Sequence, residues 1–203
     1  MANDAWGQGI DTLDYTDQPD LVVLGQTLRD GLTPRSVMRF ADATSRDAAV
    51  ASPVAGMIAW LTATKVWTGF DGTAWVALAA GTQAWTTPTL ATGYTANGNS
   101  NGVPQYRVVN LFGDLVVMWR GGLGVTYTSG APANSGNFLH DPLPAGARPT
   151  TFRTVTAACS AVSSESLSVK IDFKADGTSS IVTQSGVQPP WVSLNNIMYS
   201  LTS

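Results

Sequence analysis

Between residues 53 and 78 three short apolar runs are separated by turn signals, and each run carries one tryptophan. The runs 57–61, 66–70 and 75–78 have strand length, and Gly56 ends a turn before the first of them. Asp71-Gly72 is a hairpin signal, because glycine accepts the positive φ of a tight turn. A meander of three short strands bearing Trp60, Trp67 and Trp75 carries more aromatic surface than one small sheet can hide alone. The pattern therefore predicts a surface that needs a partner, with these three tryptophans as the expected oligomer interface.

The 203 residues suffice for one large or two small domains. With 20 glycines, 11 prolines and a single glutamate (Glu165), helix-favouring stretches are scarce and turns abundant. That profile predicts an all-β chain. A net charge of −3 without a basic stripe argues against a nucleic-acid partner. No apolar run reaches the roughly 18 residues of a membrane span, so no membrane insertion is expected. No basic region followed by an apolar segment opens the chain, so synthesis in a cytoplasm without a signal peptide is expected. Cys159 stands alone in a β-like run and reads as a small buried hydrophobe.

Residues 1–33 read as an extended docking arm. Asp4, Asp11, Asp14, Asp17 and Asp20 precede any basic residue, and no helical or strand period persists beyond the apolar run 21–24. Such a segment cannot offset its ordering entropy unaided, so Trp6, Ile10, Leu13 and Tyr15 are the expected docking anchors onto a neighbour; a disordered acidic tail is the alternative. Residues 34–80 hold a short helix and the Trp-rich meander. Thr44 or Ser45 is the expected N-cap, Asp47 favours the first turn, and Ser52-Pro53 stops the helix. Residues 81–104, rich in Gly, Thr and Asn and punctuated by Trp85, Leu90 and Tyr94, read as a linker. Residues 105–203 read as a β-sandwich or jelly-roll-like head. Its expected strands are 105–110, 115–120, a return at 123–128, then 152–160, 167–173, 179–183 and 191–200. Asp176-Gly177 marks a hairpin between two of them.

Catalytic patterns are weak. His140 is the single histidine, and Asp141 beside it would point to the opposite face of a strand, a poor orienting pair. Asp114 and Asp176 lie in turn signals, which explain them more simply than paired-carboxylate chemistry does. One histidine and one cysteine cannot build a zinc site, and no glycine loop opens a helix to cradle phosphate. The expectation is a non-enzyme with neither cofactor nor metal. Saccharide binding, by aromatic faces beside amide groups, is better supported; Tyr127, Asn134, Asn137, Phe138 and His140 are the candidates. Trp119 and Trp191 sit in strand patterns that favour a core or a subunit interface.

Two stretches carry a family resemblance. The first combines Ser45-Arg46-Asp47-Ala48-Ala49-Val50, Pro53-Val54-Ala55-Gly56-Met57 and Asp71-Gly72-Thr73-Ala74-Trp75. It resembles a segment of tail-associated and other virion proteins of bacteriophages, especially those of actinobacteria. The second runs from Leu143-Pro144-Ala145-Gly146-Ala147-Arg148-Pro149 through Asp176-Gly177 to the segment 191–199. It is similar to the C-terminal β-sandwich of phage fibre and receptor-binding proteins. The resemblance implies a homotrimeric virion protein, attached to other capsid or tail proteins by its N-terminal part and carrying a head for host-surface saccharide. Without a coiled-coil or β-helical shaft, a compact spike is expected. A purely structural capsid or tail decoration protein and a carbohydrate-binding module are the alternatives.

Overall fold

The computed structural model of this chain describes residues 20–80 and 83–202, together with the backbone of two short paired strands, Ala2–Asn3 (β1) and Asp11–Thr12 (β2). The chain is built mostly of strands, in agreement with the all-β expectation. It divides into two compact units, residues 1–82 and 83–203. No helix among the described residues is long and apolar enough to cross a membrane.

The first unit departs from expectation at once. Residues 21–32 are not extended but form helix α1 (Leu21–Leu32), capped by the Asp20 carboxylate, which accepts from the Val22 and Val23 amides. The apolar run at 21–24 is the start of a helical stripe that continues at Leu28 and Leu32, a period the interruptions at Gly25 and Gly31 obscure. A tight turn, Thr33–Arg35, leads into strand β3 (Val37–Phe40). Helix α2 (Ala43–Ala49) follows, near its expected position, but its N-cap is Asp42 and not Thr44 or Ser45. The Asp42 carboxylate accepts from the Ser45 amide at 2.8 Å. An acidic cap satisfies the orphan amides and meets the positive helix end together.

Strands β4 (Ile58–Leu61), β5 (Val66–Phe70) and β6 (Trp75–Ala80) form the expected meander. A fourth strand went unread: β3 pairs in parallel with β4, giving the sheet order β3-β4-β5-β6 with α2 in the crossover. One face of this sheet packs on α2. Met38, Met57 and Ala59 are its buried core, with Phe40, Val50, Phe70 and Trp75 against them. At the Asp71-Gly72 turn the Asp71 carboxylate accepts from the Thr73 and Ala74 amides.

The second unit starts earlier than the sequence suggested. Residues 83–104 are not a linker: Thr86 bridges Tyr106, and strand β7 (Tyr94–Ala96) belongs to a sheet. Polar, glycine-rich composition concealed this, because the strand is only three residues long. Strands β8 (Gln105–Leu111) and β9 (Asp114–Arg120) form the expected hairpin. The chain then fails to return beside β9. Strand β10 (Gly122–Val125) pairs instead with β7 and with β16 (Trp191–Ser193). Gly121 makes the transfer possible: its φ is +100°, and a Cβ there would lie 2.3 Å from the Val103 carbonyl oxygen. A short hairpin of β11 (Tyr127–Thr128) and β12 (Ala131–Pro132) follows.

Strands β13 (Arg153–Ala158), β14 (Ser168–Phe173) and β15 (Ser179–Val182) make a consecutive antiparallel sheet, with the Asp176-Gly177 hairpin where expected. The single strand expected over 191–200 is two. β16 ends at Ser193, Asn196 adopts a positive φ of 65°, and β17 (Met198–Ser200) joins the opposite edge of β9. The three three-stranded sheets enclose one core. At its centre Phe173 stacks on Trp119 and Tyr199, with ring centroids 5.4 and 4.6 Å apart, and Phe138 meets Trp119 and Phe173 edge-on. Cys159 is buried in the same core, as expected of a small hydrophobe.

Candidate functional site

Strand alternation decides which face of the β3–β6 sheet each side chain occupies. Trp60 and Trp67 lie directly opposite one another on β4 and β5, their ring centroids 5.1 Å apart. They share the face away from α2 with Val37, Ile58, Val76 and Leu78, and all four of those side chains are exposed. Trp67 itself keeps 39 % of its surface. An apolar row crossing a four-stranded sheet without cover is the feature expected of an interface and not of a solvated face.

Trp75 does not belong to that row. It pairs with Phe70 across the hairpin, three residues from Trp67, and so falls on the opposite face. There the guanidinium of the buried Arg46 lies 4.4 Å from the Trp75 ring centroid and donates to the Thr68 hydroxyl and to Asp47. This contact holds α2 to the sheet and withdraws Trp75 from any oligomer interface. The four-residue turn already carried the information, since pairing 70 with 75 fixes the parity of Trp75. Helix α1 is a second uncovered apolar surface: none of its residues is buried, and Leu21, Leu28 and Leu32 are exposed along its stripe.

The expected saccharide residues do not converge. Phe138 is fully buried in the aromatic core and cannot touch a ligand. A phenylalanine beside polar loop residues looks exposed in sequence, but its ring fills the space between Trp119 and Phe173. Asn137 accepts from the Ser179 amide and hydroxyl through its side-chain amide oxygen Oδ1, tying the loop to β15. Tyr127 donates to the Pro189 carbonyl, and burial pushes its phenol up to about 12. Asn134 is exposed, with a positive φ, and donates to the Asn137 carbonyl, which makes it a turn residue. His140 is also exposed. Residues 140 and 141 form a bend and not a strand, so the expectation that their side chains diverge fails: His140 Nδ1 lies 3.1 Å from Asp141 Oδ1. With both partners largely in water the pair contributes little. Trp6, Ile10, Leu13 and Tyr15 lie outside the described residues.

A different cluster lies on the second unit. The Thr86–Tyr106 bridge sets Trp85 beside Arg107 on the face of β8 and β9 that points away from the aromatic core. The Arg107 and Arg120 guanidiniums lie 4.5 and 4.2 Å from the Trp85 ring centroid. Arg120 also donates through Nε to the Gln105 amide oxygen, and Gln105 donates on to the Thr87 hydroxyl. Reading Trp85 as part of a linker hid this, although the alternation of Gln105, Arg107 and Val109 against Tyr106 and Val108 was available.

The chain matches no family model, and no curated protein matches it.

Proposed function

We propose that this protein is a structural, non-enzymatic subunit of a phage virion. It self-associates as a homotrimer through the outer face of the β3–β6 sheet and uses its C-terminal unit for host-surface saccharide. One observation carries the reading: the uncovered apolar row of Val37, Ile58, Trp60, Trp67, Val76 and Leu78. Leaving such a row in water forgoes the burial free energy that a second copy would supply. The row is apolar at its centre and flanked by the exposed Arg39, the anatomy of an interface with a polar rim. The exposed leucines of α1 support the same reading, because a helix of 12 residues is marginal without packing. The virion assignment draws on the motif resemblance in residues 45–75 and 143–199.

Mass measurement of the full chain by light scattering tests the assembly. A trimer mass at micromolar concentration is expected, and a monomer across the accessible range refutes it. Co-sedimentation then tests the role. Saturable binding to host cells supports a receptor-binding spike, whereas binding only to particles lacking this subunit assigns the decoration role.

A further inference from the structure

We infer that the outward face of β8 and β9 at Trp85, Arg107 and Arg120 is a binding site for an acidic saccharide, whose carboxylate or phosphate oxygens engage the Arg120 guanidinium. The inference rests on the reading of the C-terminal unit as the saccharide-contacting part, and it replaces Tyr127, Asn137 and Phe138 as the residues responsible.

The charge balance is the first reason. Two guanidiniums share one indole ring in a chain whose net charge is −3. Neither has a carboxylate within ion-pair distance among the described residues; the ion pairs there involve Arg29, Arg46, His140 and Lys170. A guanidinium presents five donors, and a structural arginine ordinarily meets an acidic partner with them. Here the partners supplied are neutral: the Gln105 amide oxygen for Arg120 and the Met118 sulfur, 3.7 Å away, for Arg107. The Arg107 Nε–H is enclosed and has no acceptor. The exposed Arg120, whose acceptor is a neutral amide, is the guanidinium that an oxyanion arriving from outside can reach.

Preorganisation is the second reason. Stacking on Trp85 and the bonds from Nε and Nη2 to the Gln105 amide oxygen hold the Arg120 plane, so a ligand oxyanion meets the remaining Nη edge already oriented. The third is shape. An open depression of about 530 Å³ adjoins Arg120, lined by that residue, Trp85, Met118, Met198 and the exposed Asn195 and Asn196, with Arg107 behind the indole and outside the lining. Apolar floor, guanidinium and amide rim together suit a sugar ring that carries an acidic group: the methionines and indole meet C–H faces and the Asn196 amide meets a hydroxyl, while the Asn195 amide is held by the Gly121 N–H and Asn101.

Titration calorimetry of the full chain tests this with four probes: a galacturonic acid tetramer, a glycerol phosphate oligomer, maltotetraose and inorganic phosphate. Binding of one acidic oligomer, at least about tenfold tighter than maltotetraose and weakened by added salt, is the expected result, and the oligomer that binds identifies the anion. Arg120→Gln should weaken it about tenfold, with partial recovery in Arg120→Lys, which keeps the charge and loses the fork. Equal affinity for maltotetraose, equal affinity for inorganic phosphate, unchanged affinity in Arg120→Gln, or no binding at all overturns the site. Light scattering on the same samples separates the two readings: an intact trimer without saccharide binding fails this inference alone.

Discussion

Replacing Trp67 with alanine should weaken self-association, an effect separable from its cost to the folded protomer. Trp67 keeps 39 % of its surface exposed in one chain. For a side chain of about 250 Å² this leaves about 100 Å² to be buried by a neighbour. At ~25 cal/mol per Å² the contribution is about 2.5 kcal/mol per protomer, of which an alanine methyl recovers a small part. About 2 kcal/mol in each of three protomers shifts the trimer dissociation constant by roughly four orders of magnitude. Within the protomer the change removes the roughly 150 Å² already buried there, at most about 4 kcal/mol at the same coefficient, and the ring pair with Trp60, about 1 kcal/mol. Sedimentation velocity over a wide concentration series reads the first quantity, and urea denaturation of the dissociated variant reads the second. Trp75→Ala is the control, because its ring lies on the inner face beneath Arg46. It should lower the unfolding midpoint without entering the interface. An unchanged assembly in Trp67→Ala, at concentrations where the wild type is half dissociated, refutes the outer-face packing.

Phe138→Ala should cost about 3–5 kcal/mol, since the ring is fully buried against Trp119 and Phe173, and urea denaturation followed by tryptophan fluorescence measures it. Gly121→Ala should lower the melting temperature of the second unit by several degrees, because it adds a Cβ at positive φ against the Val103 carbonyl; circular dichroism would register the loss. Acid should destabilise the fold through Asp172. Burial raises this carboxyl, but the Thr154 hydroxyl and the Lys170 ammonium outweigh it and leave it below the usual range. A depressed folded value means the stabilisation is present above the unfolded pKa of about 3.9 and is lost as pH falls through the folded value. Asp172→Asn should therefore flatten the stability profile below about pH 4, and an unaltered profile in that variant speaks against the ion pair's role.

Short-range signals determined much of this chain. Apolar runs bounded by turn signals, Asp-Gly among them, marked β4, β5, β6, β8, β9, β14 and β15, because period-two alternation and positive φ are local properties of the backbone. Even the withdrawal of Trp75 from the Trp60–Trp67 face was legible, since a hairpin of known turn length fixes the parity of both arms. The core role of Trp119 followed from its strand pattern. What stayed hidden was decided at a distance. β3 is a strand because β4 lies alongside it in parallel, and no turn in the sequence announces such a pairing. β10 leaves the β8–β9 hairpin because Gly121 permits a close backbone approach, and β16 and β17 separate because their partners lie in different sheets. Trp85 follows the same logic. Its neighbours in sequence are threonine and alanine, while Arg107 and Arg120 reach it only through the Thr86–Tyr106 bridge. Local chemistry chose the elements, and long-range pairing chose which side chains meet, because a contact between residues far apart in the chain leaves no mark on either one's immediate sequence.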